Sequence, residues 1–287
     1  MLEIKYIADL VIAADNAGKK ISEIVWQWEC EQSGVLAESI WEKMQARLET
    51  IKISAYTGKQ QQGKTFNGLV GGDAYRMAQT DQLLGGTVTR AVTYALSVSE
   101  VNADMGKIVA CPTAGSCGIV PGALLATAEL LKSDNDVIIK GLFTAAGIGT
   151  VIAKNASVAG AIGGCQAECG SAAAMAAGAV VEMMGGTPRQ VSQAVALTLK
   201  NLLGLVCDPV AGLVEVPCVK RNGFAAAHAL VGAQMALAEI ESVIPADEVI
   251  EAMNQIGLAL PSSLKETSEA GLAKTSTALS ITARILK

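Results

Sequence analysis

The pattern of apolar and polar positions divides the chain at about residue 74. Before it, ISEIVWQWECEQSGVLAESIWEKMQARLETIKISA is charged and has helical spacing, with Ile24, Trp28, Val35, Ile40 and Met44 on compatible faces. Ser22 and Asp15 are its candidate N-caps. TGKQQQGKTFNGLVGGD, Thr57 to Asp73, is Gly- and Gln-rich and reads as an irregular crossing. After it, helix patterns alternate with short Gly-rich breaks. GALLATAELLKSD is a helix stopped by SDND, and DVIIKGLFTAAGIGTVIAKNA is a second with a kink expected at a glycine. SAAAMAAGAVVEMMGG closes on Gly185 and Gly186. TPRQVSQAVALTLKNLLGL starts with Thr187 as N-cap and Pro188 at the first helical position. NGFAAAHALVGAQMALAEIES and PADEVIEAMNQIGLAL complete the set, and only VIIK and LVEVPCV carry a strand signal. The expected fold is all-α, a compact bundle of buried Ala/Gly-rich helices with functional Gly/Pro-rich loops between them. Residues 1–73 form an N-terminal helical segment and crossing, and 74–287 a helical catalytic domain, the two making one continuous structural unit. No repeat of 20–50 residues is evident.

Composition sharpens this picture. Of 287 residues 51% are hydrophobic but only 3% aromatic, so the apolar content is mostly Ala, Val, Leu and Ile, which allow close helix packing. The net charge of -5 gives no basic footprint for nucleic acid. A mean hydropathy of +0.39 raises the question of a membrane. The longest uncharged run, between Lys107 and Glu129, contains CPTAGSCGIVPG, whose prolines and glycines make a poor spanning helix. Other apolar runs are cut by Lys154, Glu168, Glu182 and Lys200, so the expectation is a densely packed soluble core. The start MLEIKYIADL lacks the order of a signal peptide, which points to the cytoplasm. Seven cysteines, an odd count in a chain without a leader, argue against a disulfide framework.

Four breaks carry candidate chemistry. In CPTAGSCGIVPG, Cys111 to Gly122, Thr113, Ser116 and the glycines let backbone N–H groups approach an anion at a helix start; an ordinary helix connection is the competing reading. In NASVAGAIGGCQAECG, Asn155 to Gly170, Cys165 and Cys169 share a helix face, with Gln166 and Glu168 beside them. CDPVAGLVEVPC places Cys207 at a helix end, where a thiol is expected to be accessible and easily ionised, and Cys218 eleven residues on. Cys165, or Cys169 in its place, can converge with Cys207 and Cys218 on one metal; core filling is the alternative for each thiol and the reading for Cys30. The spacings match neither a zinc ribbon nor a bacterial ferredoxin. Three separated thiolates suit a cluster with one open, Lewis-acidic iron. LPSSLKETSEAGLAKT, Leu260 to Thr275, crowds Lys265, Glu266, Thr267 and Ser268 into a polar segment that is otherwise a solvated turn. The single histidine, His228, lies in an apolar helix and reads as a hydrogen-bonded core residue. No Ser-His-Asp set and no phosphate-binding GxxxxGK[ST] loop is present.

Together, CPTAGSCGIVPG, KNASVAGAIGGCQAECGSAAAMAAGA, GLVCDPVAGLVEVPCVKRN and KETSEAGLA resemble the iron–sulfur-dependent L-serine dehydratases, and more narrowly the α subunit of their two-chain form. The resemblance runs in consistent order from about residue 90 to 275. It implies conversion of L-serine to pyruvate and ammonia by β-elimination, with a [4Fe-4S] cluster and no pyridoxal phosphate. The family's three cluster ligands match Cys165, Cys207 and Cys218. Its substrate-side loop matches Thr113, Ala114, Gly115 and Ser116, a second polar stretch matches Asn155 and Ser157, and a terminal motif near the cluster matches Lys265, Glu266, Thr267 and Ser268. The base that removes the α-proton is not assigned. Single-chain relatives carry a further domain with a Ser-His-Thr motif, so a separate β subunit is implied here. Some relatives end in a cysteine that caps the fourth iron, whereas this chain ends in ARILK. Ala114 stands where many relatives have Asn, and Cys169 where many have Val. The alternatives are a related β-eliminating lyase for cysteine or threonine, and a non-catalytic iron–sulfur or zinc protein.

Overall fold

The computed structural model describes residues 3–80 and 83–285. The first two residues of MLEIKYIADL and the last two of ARILK lie outside them. Thirteen α-helices are described: α1 (Ile7–Ala17), α2 (Ile21–Ser33), α3 (Ala37–Gly58), α4 (Asp73–Ala78), α5 (Gly85–Ala103), α6 (Ile119–Leu131), α7 (Asn135–Asn155), α8 (Gly160–Gly163), α9 (Ser171–Met183), α10 (Pro188–Lys200), α11 (Cys218–Leu237), α12 (Ala246–Ala259) and α13 (Ser276–Ile285). No β-strand occurs among the described residues, and the one isolated bridge pairs Cys207 with Lys265. The all-α expectation holds.

The core is organised around α9, SAAAMAAGAVVEM, whose residues are buried from Ser171 to Glu182. Helices α6, α7, α10 and α11 pack around it. Its small side chains set the interhelical distance, since a Cβ on Gly178 would run into Ile148 of α7. Helices α5 and α6 approach closely in the same way: a Cβ on Gly122 would lie 2.5 Å from the Ala91 carbonyl. One buried apolar cluster extends from Ile4 and Ile7 to Met253, so α1–α3 share the core of the later helices. Two segments, 114–131 and 135–155, are long and apolar enough to cross a membrane, but 72% and 67% of them are buried inside the protein. These are helices of the core.

Local chemistry explains where the helices begin and end. Thr187 caps α10 as expected, accepting from Gln190 N while the Gln190 side chain accepts from Thr187 N, with Pro188 leading the helix. Neither candidate cap of the N-terminal region serves. Asp15 lies inside α1, which ends on left-handed Gly18, and α2 is preceded by Lys20, whose N–H donates to Glu23. Ser22 is instead buried in the first turn of α2, its N–H donating to Glu182. Helix α6 stops at left-handed Lys132, before SDND, and Asp134 of that stretch caps α7 by accepting from Val137 N. VIIK lies within α7, which runs unbroken through its glycines. In LVEVPCV the chain turns and enters α11 at Cys218, four residues before the expected start. The segment between α3 and α4 is irregular, as its composition suggests. It is held by Thr65 and Asn67, which donate to the buried Glu215 at 2.8 and 2.7 Å.

Candidate active site

The breaks between helices meet at one place. Cys165 follows Gly164, whose φ of 76° and extended ψ suit a residue without Cβ; a Cβ there would lie 3.0 Å from the Leu205 carbonyl. The next turn, Gln166 to Gly170, is a π-helix that widens the chain before α9, a feature frequent at functional sites. Gln166 fixes this turn. Its amide donates to the carbonyls of Gly163 and Met253, both at 3.0 Å, and its oxygen accepts from Gly204 N at 2.9 Å. The same turn aims Glu168 between the other segments. Thr113 Oγ1 donates to Glu168 at 2.7 Å, and Cys207 Sγ lies 3.9 Å from its carboxylate. Gly115 and Gly160 give that carboxylate room, since a Cβ on either would come within 2.9 or 2.6 Å of it. Burial raises the Glu168 pKa and Glu266 adds to the rise, while the Thr113 hydrogen bond opposes it.

Cys207 stands in an extended segment paired with the late polar loop. Its N–H donates to Leu264 O at 2.9 Å, and Glu266 N donates to Cys207 O at 2.8 Å. The pairing corrects the expectation of an accessible, easily ionised thiol at a helix end. Cys207 is 4% exposed, and burial, with the charges of Cys165, Glu168 and Glu266, raises its pKa well above the ordinary thiol range. Asp208 ties the segment on both sides: it accepts from Arg221 at 2.9 Å and from Leu272 N at 2.8 Å. Burial disfavours the charge on Arg221, but Cys165 and Asp208 beside it outweigh that and raise its pKa.

Cys218 opens α11, and its thiol is pushed up to about 12 by burial and by Cys165 and Glu168. One turn on, Asn222 is 1% exposed and joins three segments. Its oxygen accepts from Gly118 N at 2.9 Å, and its amide donates to Gly115 O at 2.8 Å and Cys218 O at 2.9 Å. The 113–118 loop is thereby fixed to the helix that carries a thiol.

The structure sorts the candidate residues. Cys165 bears electrostatically on both Cys207 and Cys218, and Cys218 on Cys207. Cys169 joins them: its Sγ lies 3.3 Å from that of Cys165, and the hydrogen bond between them lowers the Cys165 pKa and raises that of Cys169. Thr113 and Gly115 face Glu168. Ser116 is buried and holds the loop, donating to Cys111 O at 3.1 Å, whereas Ala114 is exposed. Lys265 and Glu266 reach the thiols through their backbone pairing with Cys207. Thr267 braces its own loop, donating to Ser263 O, whereas Ser268 ties that loop to the Cys207–Cys218 segment, donating to Pro209 O and accepting from Gly212 N. Asn155 is not brought in: its amide donates to Lys5 O and Val151 O, tying the end of α7 to the N-terminus. Ser157 accepts from Ala159 N and lines a small cavity with Gly163, Ala167 and Met253. His228 bonds the Thr198 carbonyl at 2.9 Å within the helices, as a core histidine does. Asp208, Arg221 and Asn222 carry no role in the sequence motifs, although Arg221 and Asn222 lie three and four residues past Cys218 in CVKRN.

The donor set fits an iron–sulfur cluster. Three thiols from three segments, Cys165 and Cys207 buried and Cys218 half-buried, lie within electrostatic reach: Cys165 raises the pKa of both Cys207 and Cys218, a repulsion that a polynuclear cation relieves. Among the described residues no three His, Cys, Asp or Glu side chains converge at the distances of a single-ion site. The chemistry is soft and sulfur-rich, as cluster sites are.

The interhelical loops of an all-helical chain thus meet at one thiol-lined junction. Residues 16–273 match the family model described as serine dehydratase alpha chain. The chain therefore belongs to the serine dehydratase α-chain family. It is 50% identical over 262 residues to the "Probable L-serine dehydratase, alpha chain" of Bacillus subtilis, covering 90% of this chain and 87% of that one. It is 43% identical to the "L-serine dehydratase, alpha chain" of Peptoniphilus asaccharolyticus over 97% of both. Against "L-serine dehydratase 1" of Escherichia coli, identity is 43% over 63% of this chain but only 40% of that longer protein.

Proposed function

We propose that the chain is the cluster-bearing α subunit of a cytoplasmic L-serine dehydratase, converting L-serine to pyruvate and ammonia. The carrying observation is the junction at Glu168, where the Thr113–Ser116 turn meets the Cys165 and Cys207 segments in a chain of this family. Cys165, Cys207 and Cys218 would hold a [4Fe-4S] cluster. When bound, the cluster supplies a Lewis acid that makes the β-hydroxyl a better leaving group. No pyridoxal phosphate is invoked. The chain's own residues bind and position. The Thr113–Ser116 turn, at the entry to α6, would take the substrate carboxylate on backbone N–H groups. Glu168 registers that turn against Cys207 through the Thr113 hydroxyl. Arg221 places a cation beside Cys165 and Asp208. Loss of the α-proton and the β-hydroxyl leaves aminoacrylate and water. Tautomerisation and hydrolysis then release pyruvate and ammonia. The naming of relatives as α chains, and the greater length of the single-chain relatives, support a separate β subunit that completes the site.

The test is anaerobic reconstitution of the full chain followed by serine titration under low-temperature EPR or Mössbauer spectroscopy. Pyruvate is assayed in parallel with and without the β subunit. One iron of a [4Fe-4S] cluster is expected to change on serine addition, and Cys207→Ser should lose both iron and turnover. A cluster that ignores serine even with the partner present would overturn the substrate reading. Full iron content in Cys207→Ser would overturn the ligand assignment.

A further inference from the structure

Away from the thiols, a cavity of about 510 Å³ opens between α2, α3 and α7. Its walls are apolar: Val25 of α2, Met44 and Ile51 of α3, Leu142 and Phe143 of α7, and Val120 of α6. Two cations, Lys43 and Arg47, line it one turn apart on α3. Neither makes an ion pair or side-chain hydrogen bond among the described residues. The Arg47 charge is felt at the Cys111 thiol, another lining residue, so the guanidinium acts on the interior of the groove as well as on solvent. Glu29 lines the opposite side on α2. The balance is two positive charges against one negative, over an apolar body of small-molecule size.

We propose that this groove binds an apolar monocarboxylate, with the hydrocarbon against Met44, Leu142 and Phe143 and the carboxylate between Lys43 and Arg47. A single anionic head brings the local charge near zero, whereas an uncharged ligand leaves one positive charge unbalanced. The lining also includes Cys111 and Pro112, which lead directly into the Thr113–Ser116 turn. The bound molecule therefore sits behind the candidate active site, not in it.

Trp28 lines the groove and provides the readout. Decanoate, below its micellar concentration, is titrated into the full chain while tryptophan emission is followed. Trp28→Phe assigns the signal against Trp26 and Trp41. Saturable binding at one site per chain is expected, weakening about fifteenfold from decanoate to octanoate, about fourfold for each methylene. Decanol should bind about tenfold more weakly, and Arg47→Glu, an exposed change, should cost decanoate about the same factor. Ala146→Trp, which fills the groove from α7, should abolish the response with the far-UV spectrum unchanged. Equal binding of decanol and decanoate, or affinity unaffected by Arg47→Glu, would overturn the proposal. So would loss of decanoate binding in the assembled two-chain complex, because the groove would then belong to the subunit interface.

Discussion

Replacing Asn222 with Ala tests whether one buried amide holds the candidate substrate loop to the thiol-bearing helix. The change removes the acceptor of Gly118 N and the donor to Gly115 O, at 2.9 and 2.8 Å, in a position 1% exposed. Each buried backbone group left without its partner costs about 1–3 kcal/mol, so the expected loss is about 2–6 kcal/mol. The third bond, to Cys218 O, adds little because that carbonyl lies in the first turn of α11. Asn222→Asp keeps an acceptor for Gly118 but sets a carboxylate against two carbonyl oxygens, so it should be no better than Ala. Urea unfolding reads the loss as a lower midpoint at unchanged slope. A purely structural role would stop there. A positioning role also raises the KM for serine in the reconstituted enzyme while iron per chain stays the same. A loss below about 0.5 kcal/mol, the range of ordinary surface substitutions, would refute the reasoning.

Two further outcomes follow from the core. A Cβ on Gly232 of α11 would overlap the Thr198 hydroxyl of α10, so Gly232→Ala should destabilise by about 1–3 kcal/mol. Thr198 Oγ1 is itself buried without a partner, so Thr198→Ala in the same chain should restore most of that loss, read as a coupling energy in a double-mutant cycle. The Cys111 thiol is pushed up to about 12 by burial. The folded chain thus keeps a proton that the unfolded chain releases near pH 9, and stability falls as pH rises from about 9 toward 12, by up to about 1.4 kcal/mol per pH unit for this thiol. Cys111→Ala should be less stable at pH 7 yet lose less between pH 9 and about 10.5; equal slopes in the two proteins would contradict the burial argument.

What the sequence made legible followed from local chemistry. Thr187-Pro188 marked the start of α10 because cap and first residue act within one turn. Cys165 and Cys169 were four apart on a helical face, and their sulfurs do meet. The misses came where distant segments decide. LVEVPCV has β-branched residues at strand spacing, but no strand pairs with it among the described residues, and Glu215 is instead held by Thr65 and Asn67 from 150 and 148 residues earlier. Ser22 resembles an N-cap, yet the contact with Glu182 draws it into the helix. Cys207 looked exposed because its cover, the Leu264–Glu266 stretch, arrives some 57 residues later. Asn155 matches a polar motif, and its amide is engaged by Val151 O one turn back and by Lys5 O from the far end of the chain.

The thiol positions are set by polar side chains rather than by the thiols themselves. Gln166 binds the Cys165 turn to Gly204, just before Cys207, and to α12. Asp208 binds the Cys207 segment to α11 and to the late loop. Asn222 binds the first turn of α11 to the 115–118 stretch. Each connector is at most 3% exposed, and apart from Arg221 on Asp208 their partners are backbone groups. Backbone partners are insensitive to which side chains surround them, so this frame can tolerate changes such as Cys169 or Ala114 without moving Cys165, Cys207 or Cys218. Small residues add to the frame, since Gly118 and Gly122 let the 118–122 stretch lie directly against Ala95 and Ala91 of α5. Exposed loop residues such as Ala114 can therefore change without disturbing the frame, while losing any of the three connectors should disturb several segments together.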